Sequence, residues 1–434
     1  MMNEGVKQHY LRKDIQELIL ACAKNREVAV KFDYGFGKRP DVLMYKSDIA
    51  DFARQGATSF HCSEELWKNP LELKPGMSKK ELDSLRIGWD LVLDIDCPFL
   101  EYSKIAGDLL VKALRSKGIK SISVKFSGNH GFHIGVPFEA FPNDTKNFFP
   151  DGVRIIAIYL QEMIRPFLAE EILKNESVEQ VMEKAGKKID EITRKEKGAL
   201  IFDPFKILDI DSVLISSRHL FRMPYSINEK SGLVSLPIDP DKILEFDKED
   251  AHPSKIGKVS RKFLFRELVE KNEAKELFDS ASEMFSEIRK KEEIKDMLTG
   301  KKQVNYEDMK APLPEELFPP CIKKGLEGLK DGKKRFVFAL INFLTMSGWP
   351  YEKIEDLIRE WDKKNHEQLK ETYWKTQLNY HKQKKAKVLP PNCRESYHAM
   401  GLCFPDNICN KIKNPVSYGR IKVAGQETRK KGKK

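Results

Sequence analysis

Two kinds of hydrophobic pattern alternate along the first 250 residues. AVKFDYGF (29–36), WDLVLDID (89–96), SISVKFS (121–127) and GLVSLPI (232–238) are rich in β-branched and aromatic residues and bounded by turn formers, which predicts strands. Between them, YSKIAGDLLVKALRS (102–116) and DGVRIIAIYLQEMIRPFLAEEIL (151–173) repeat apolar residues at helical spacing. The mixture predicts an α+β domain over 1–250 with mixed sheets and flanking helices. Residues 251–312 read as a charged helical connector, with a continuous helical pattern over 263–298 whose charges form a solvated face. From Leu313 a third pattern begins. RFVFALINFLTMSG (335–348) is almost wholly apolar and predicts a buried helix. After Pro350, Ile354, Leu357, Ile358 and Trp361 recur at i, i+3, i+4 and i+7. Residues 313–418 therefore read as an all-α domain, and 419–434 as a basic disordered tail.

Composition agrees with several soluble domains. The chain has 434 residues, 40% hydrophobic and 33% charged, which suits two or three globular units. No run approaches the ~20 apolar residues that span a bilayer, so no membrane partner is expected. The N-terminal MMNEGVKQHYLRKD has no apolar signal-like core. Seven cysteines spread over this length do not resemble a disulfide framework. A reducing, cytoplasmic setting is expected, with cysteine reserved for metal. Of the net charge of +11, more than half lies between Arg420 and Lys434. That tail reads either as a solvated end or as a phosphate-binding arm.

Candidate chemistry begins with Asp94 and Asp96. Residues two apart on a strand share a face, so Leu91, Leu93 and Ile95 point to a core while both aspartates point away from it. Adjacent carboxylates repel unless a cation lies between them, and hard oxygen donors suit Mg²⁺ or Mn²⁺ meeting substrate phosphates. The bland alternative is an exposed strand edge. Some thirty residues on, VKFSGNHGFHIGVPF places Ser127, Gly128, Gly131 and His133 around a tight turn, with Lys125 and His130 beside it. Backbone N–H groups of such a turn can face a phosphate, and the side chains can donate to anionic oxygens. LDIDSVLISSRHLFRMPYSINEKSGLVSLPI (208–238) then adds Asp209, Asp211, Arg218, His219 and Arg222. A third carboxylate would complete a two-metal site, and Arg222 could clamp a phosphate bidentately.

The order LDID, SGNHGFH, SSRHLFRMPYS…KSGL resembles the catalytic small subunit of archaeal and eukaryotic DNA primases, over roughly residues 20–240. The resemblance implies a primase-polymerase core that builds primers de novo on single-stranded DNA from nucleoside triphosphates, yielding a primer duplex. It implies Asp94, Asp96 and a later aspartate as ligands of two divalent ions, with Asp211 the choice and Asp209 the reserve. Ser127, Gly128, His133, Lys125 and Arg222 would then contact the nucleotide. Arg26, Glu27 and Arg39 resemble upstream family segments, adding Arg39 to that set. Three features depart from the family: Asn228 stands where a histidine is usual, the third aspartate is displaced by one position, and only Cys97 remains of a zinc knuckle.

The C-terminal cysteines carry a second resemblance. Cys321, Cys393, Cys403 and Cys409 fall in LFPPC, LPPNC, GLC and NIC, in the order seen in the C-terminal domain of the primase large subunit. That likeness implies an iron–sulfur cluster of the 4Fe–4S type, a single-chain primase such as occurs in reduced archaeal lineages, and independence from a separate large subunit. Lys333, Lys334 and Arg335 stand where the family has a template- and triphosphate-binding step, and Tyr373, Trp374 and His381 suit base stacking and phosphate contact. The residues alone leave alternatives: Zn²⁺ on all four thiolates or on Cys393, His398, Cys403 and Cys409, or scattered structural cysteines. The aromatics could equally pack inward. At the level of function, the alternatives are a repair or translesion polymerase that extends primers, and a non-catalytic nucleic-acid-binding replication subunit. A replicative polymerase or helicase is the candidate further partner.

Overall fold

The alternating segments of the N-terminal region become two antiparallel sheets. The structure, a computed structural model, describes residues 4–196, 198–210, 217–298, 311–330, 332–369, 371–383, 388–398 and 400–431. The chain divides into two units, Met1–Lys295 and Asp296–Lys434. In the first, the strands that matter here are β1 (Val28–Phe32), β2 (Gly35–Phe36), β3 (Ser59–Ser63), β4 (Leu91–Asp96), β5 (Ser123–Phe126), β6 (Phe132–Val136), β7 (Asp209–Ile210), β8 (Leu220–Arg222) and β9 (Pro237–Ile238). One sheet has the order β8-β3-β1-β2 and the other β7-β4-β6-β5-β9. GLVSLPI adds only Pro237–Ile238 to a ladder, with Val234 making an isolated bridge to Ile227.

Alternation decides what each sheet buries. Leu91, Leu93 and Ile95 of β4, Val124 and Phe126 of β5, and Phe132, Ile134 and Val136 of β6 form one apolar face. Against it pack α2 (Leu100–Ser116) and α3 (Asp151–Leu173). Tyr102, Ala106, Leu110 and Leu114 recur every fourth residue along α2, so one stripe of that helix is buried. The other sheet buries Val28, Val30, Phe32, Phe60, Cys62 and Phe221 against Ile15, Leu18 and Ile19 of α1 (Lys13–Ala23).

Asp90, directly before β4, is fully buried and bridges the two layers. Its carboxylate accepts from Arg26, from Arg266 Nη2 at 2.5 Å and from the Phe138 backbone N–H at 2.8 Å. Burial pushes this carboxyl up, but the Arg266 and Arg26 guanidiniums override it and hold it below its ordinary value. Arg26 also donates to the carbonyls of Cys22 (2.9 Å), Ser63 (2.6 Å) and Glu64 (3.1 Å), so its remaining donors are satisfied inside the protein.

Two expectations are corrected. The helix predicted over 263–298 begins only at Lys275, as α4 (Lys275–Leu298). Before it, Phe263 and Leu264 are buried in the core beneath α1, and Leu264 and Asn272 take left-handed φ values of 59° and 65° that a helix cannot continue through. Tertiary burial overrides helical propensity here. The tail expected to be disordered from 419 is helical over its described residues, since α9 runs Pro415–Lys431. Asn414 Oδ1 accepts from the Val416 N–H at 3.1 Å, and Val416 and Tyr418 are buried, so the helix is capped and anchored at its start.

In the second unit α5 (Pro320–Leu326), α6 (Lys333–Met346), α7 (Tyr351–Asp362) and α8 (Glu371–Gln383) precede α9. Phe336, Leu340, Phe343 and Leu344 of α6 meet Ile354, Ile358 and Trp361 of α7, Trp374 and Leu378 of α8, and Val416 of α9. The apolar run 335–348 is thus the central helix, as its pattern predicts.

Removing the Asp90 carboxylate would leave Arg26 charged and buried. Asp90→Ala is expected to lose about 3–5 kcal/mol in urea unfolding of the protein; an unchanged midpoint would show that packing alone holds the two layers together.

Candidate active site and cysteine cavity

The face of the second sheet turned away from α2 and α3 gathers the polar residues. Asp94 of β4 lies opposite His133 of β6, which lies opposite Lys125 of β5, and Asp96 lies opposite Asp209 of β7. Cross-strand partners share a face. Five sequence-predicted residues, Asp94, Asp96, Asp209, His133 and Lys125, therefore stand in two adjacent rows. Asp211 falls outside the described residues, and the carboxylate that register brings to Asp96 is Asp209.

His133 Nε2 lies 3.3 Å from Asp94 Oδ1, with the imidazole almost fully buried and the Asp94 side chain 45% exposed. Burial first, then the charges of Lys125 and Arg222, hold the imidazole well below its ordinary pKa, so it is neutral near pH 7. Lys125 is fully buried; its ammonium donates to Ser235 Oγ at 2.9 Å and lies 5.3 Å from the Phe263 ring centre. Burial pulls it down to about 7 against the opposing charge of Asp94.

The glycine turn sits at the end of these rows. Ser127 N–H donates to Gly131 O at 2.9 Å, closing the turn between β5 and β6. A Cβ on Gly131 would fall 1.8 Å from Ile95 O, so the turn can lie against β4 only as glycine. A second turn clasps the first: the Ser231 hydroxyl donates to Gly128 O, and Asn228 Cβ sits 2.7 Å from where a Gly128 Cβ would be. Asn228 Oδ1 accepts from Lys230 N–H at 3.0 Å, so this largely buried residue braces its own turn.

Arg222 and Arg39 are both engaged by protein groups. Arg222 donates from Nη1 to Ile227 O (2.8 Å), and its Nη2 pairs with Glu229 Oε2 (2.8 Å). Glu229 also pairs with Lys31, whose ammonium lies 5.9 Å from the Phe36 ring centre. Sequence reading passed over Lys31 and Glu229; strand parity marks Lys31, since its neighbours Val30 and Phe32 are core. Arg39 Nε donates to Glu27 Oε1 at 2.8 Å, and its Nη2 donates to Arg218 O at 2.8 Å. Arg218 donates to the same buried Glu27 carboxylate at 2.6 and 2.8 Å. Burial opposes this carboxylate's charge, and the hydrogen bonds from Arg218 and Arg39 hold it below its ordinary value. Arg39 thus anchors the chain leading into β8.

In the second unit, Cys321, Cys393, Cys403 and Cys409 line one cavity of about 270 Å³ together with Tyr397, His398 and Phe404. The four sulfurs come from α5 and the 393–409 loop, so the set includes Cys321, which the four-residue rival with His398 leaves out. Burial, then the neighbouring cysteines Cys393 and Cys409, push the Cys321 thiol well up. Burial and Cys403 push Cys393 up to about 11. Crowded thiolates, like crowded carboxylates, call for positive charge among them. Among the described residues no three His, Cys, Asp or Glu side chains close around a single ion position. One tetrahedral ion with bonds of about 2.3 Å draws its ligands in tightly, whereas a cavity of about 270 Å³ suits a larger thiolate-ligated group. The donor set and its space fit an iron–sulfur cluster. Cys22 and Cys62 lie buried with sulfurs 3.9 Å apart, and Cys97 is buried under α2, all three remote in role from this set.

Of the residues expected to hold nucleic acid, α8 divides the aromatics. Trp374 and His381 are buried at 2% and 3% exposure, on the inward stripe Trp374, Leu378 and His381. They pack the core and are withdrawn as nucleic-acid contacts, because a helix with one apolar neighbour buries the face where its bulky residues recur. Tyr373 remains on the surface, with Lys334 Nζ 5.4 Å from its ring centre, and Arg335 is exposed. Lys333 donates to Glu367 O at 2.9 Å.

Two families match this chain. The DNA primase small subunit matches over residues 94–240, and the C-terminal domain of the eukaryotic and archaeal DNA primase large subunit over 311–426. This chain carries both primase-family segments. The first begins at Asp94 itself and spans the glycine turn and Arg222, and the second includes all four cavity cysteines. The chain is similar to the DNA primase small subunit PriS of Pyrobaculum calidifontis, 30% identical over 195 residues, covering 40% of this chain and 59% of that one. It is also similar to an uncharacterized protein of Methanocaldococcus jannaschii, 28% identical over 134 residues, covering 30% of this chain and 28% of that one. The chain therefore spans about a quarter and three fifths of the two curated relatives. Among solved structures, the polymerase domain of Mycobacterium tuberculosis ligase D in complex with DNA aligns with a TM-score of 0.36 at 15% identity, covering 55% of this chain and 81% of that one.

Trp374→Ala should lower the stability of the second unit by about 3–5 kcal/mol, whereas Tyr373→Ala should change it by no more than about 0.5 kcal/mol. Chemical unfolding followed by circular dichroism reads both; equal effects would mean that the two aromatics do not divide between core and surface.

Proposed function

We propose that this chain is a DNA primase, a nucleotidyltransferase that starts primers on single-stranded DNA template for replication. The observation that carries the reading is the placement of Asp94, Asp96 and Asp209 on one sheet face beside the Ser127–Gly131 turn and His133, all inside the segment matching the primase small subunit. Two Mg²⁺ or Mn²⁺ ions on those carboxylates would supply the charge that activates a primer 3′-hydroxyl and steadies the α-phosphate. Asp209 takes the third-ligand role in this proposal because its strand register sets it against Asp96, and Asp211, outside the described residues, is the alternative that the variants below separate.

The protein's own groups would then do the positioning. The Ser127 hydroxyl and the Gly128 backbone face the triphosphate, and neutral His133 lies against Asp94. Buried Lys125 adds positive charge behind the carboxylate row, while Arg222 approaches the phosphates from the neighbouring sheet. Asn228 serves the site by bracing the turn that clasps Gly128. In the second unit the four cysteines would hold a 4Fe–4S cluster, supported over Zn²⁺ by the room in their cavity. Lys334, Arg335 and Tyr373 offer a surface for template and the 5′-triphosphate of the first nucleotide. A large-subunit-like segment within the same chain supports priming without a separate large subunit.

The deciding experiment is synthesis on single-stranded DNA with no primer supplied, run with ribonucleotides and with deoxynucleotides. Dinucleotide products support primase; products only with a supplied primer favour the primer-extending polymerase reading. Asp94→Ala and Asp209→Ala should each abolish synthesis and keep DNA binding, while Asp211→Ala retains synthesis. The reverse order at 209 and 211 would transfer the third-ligand role to Asp211. Anaerobically purified protein should be brown, and Cys393→Ser should lose that visible absorbance; a colourless, zinc-loaded protein would remove the cluster.

A further inference from the structure

We infer that the Tyr397 hydroxyl is a hydrogen-bond donor to the thiolate-bound group in the cysteine cavity and helps set its reduction potential. The inference rests on the iron–sulfur reading of that cavity. Tyr397 follows Cys393 by one turn, in the short helical segment Cys393–Tyr397, and lines the cavity beside the four sulfurs. Its side chain has no solvent exposure, and its hydroxyl has no hydrogen-bond partner among the described residues.

Two other tyrosines of this unit differ in that respect. Tyr351 donates to His381 O at 3.0 Å, and Tyr418 donates to Asp406 Oδ2 at 2.6 Å. A buried hydroxyl left unpaired is costly, and the ring alone would serve the packing. The acceptor is therefore to be sought among what the cavity holds. Thiolate sulfur and cluster sulfide both accept hydrogen bonds, and such bonds stabilise the more negative, reduced state, one of the levers that tune iron–sulfur potentials. His398 also lines the cavity but is exposed, so it keeps access to water as a partner. Tyr397 is a positioning and tuning residue here, and no bond is made or broken at its oxygen.

The test uses the full chain purified anaerobically. Iron content, the potential of the cluster couple by protein-film voltammetry, and resonance Raman of the Fe–S(Cys) modes in H₂O and D₂O are measured for wild type, Tyr397→Phe and Tyr351→Phe. Tyr397→Phe should keep its iron, shift to a more negative potential and lose part of the deuterium shift, while Tyr351→Phe stays at the wild-type potential. Iron retained with potential and deuterium shift unchanged in Tyr397→Phe overturns the inference. Should Tyr397→Phe fail to fold or hold iron, replacing Tyr397 by difluorotyrosine, a stronger donor of nearly the same shape, decides instead: a more positive potential supports the hydrogen bond, and no change overturns it. Wild-type protein without iron would sink the cluster reading itself, a result distinct from either outcome at Tyr397.

Discussion

Asp90 accepts hydrogen bonds from Arg26, from Arg266 and from the Phe138 backbone in a place closed to water, and the strand that follows it carries the catalytic candidates. Taking three charges out of water is expensive, so such a cluster is weak evidence for stability and better understood as fixing one arrangement. Here it fixes where β4 starts. Register along a strand is all or nothing, because a slip of one residue would carry Asp94 and Asp96 into the core and Leu93 and Ile95 out of it. A second buried cluster does the same for β8: Glu27 gathers Arg39 and Arg218, and the Arg218 N–H donates to Glu65 Oε2 at 2.5 Å. Arg39, which the family resemblance assigned to the nucleotide, thus serves in this structure to anchor the chain that leads into β8.

The two candidate sites solve one electrostatic problem with different atoms. On the sheet face, carboxylates are brought side by side; in the helical unit, sulfurs are. Each set is unfavourable as it stands and becomes favourable only with positive charge among its members. Oxygen donors on an open face, with Asp94 nearly half exposed, suit ions that arrive with substrate phosphates. Thiolates around a cavity suit a group that stays. On the proposed reading, geometry would separate a transient metal from a resident one.

Much of this was legible in the sequence because it is periodic. The period of two in WDLVLDID fixed which residues of β4 face the core, and the period of 3.6 in 102–116, 151–173 and 335–348 named the helices that cover the sheet and fill the second unit. Periodicity has no means of choosing between Asp209 and Asp211, which share parity; the pairing of β7 with β4 shows Asp209 opposite Asp96, and Asp211 lies outside the described residues. It was misled at 263–274, where good helix formers are held irregular by the burial of Phe263 and Leu264. On α8 the identity of Trp374 and His381 suggested nucleic acid, and their spacing with Leu378 decided otherwise. Charge partners such as Glu229 of Arg222 lie close in sequence yet become visible only when two turns clasp.

The last helix of the second unit has a notch at Gly419, where an added Cβ would lie 2.3 Å from Leu313 Cδ2. Leu313, just ahead of the first helix of that unit, is itself fully buried. Leu313, ahead of the cysteine-bearing helix α5, is therefore seated in a gap left by the last helix. A change that displaced this helix at Gly419 would free Leu313 as well, coupling one end of the unit to the segment that leads to Pro320 and Cys321.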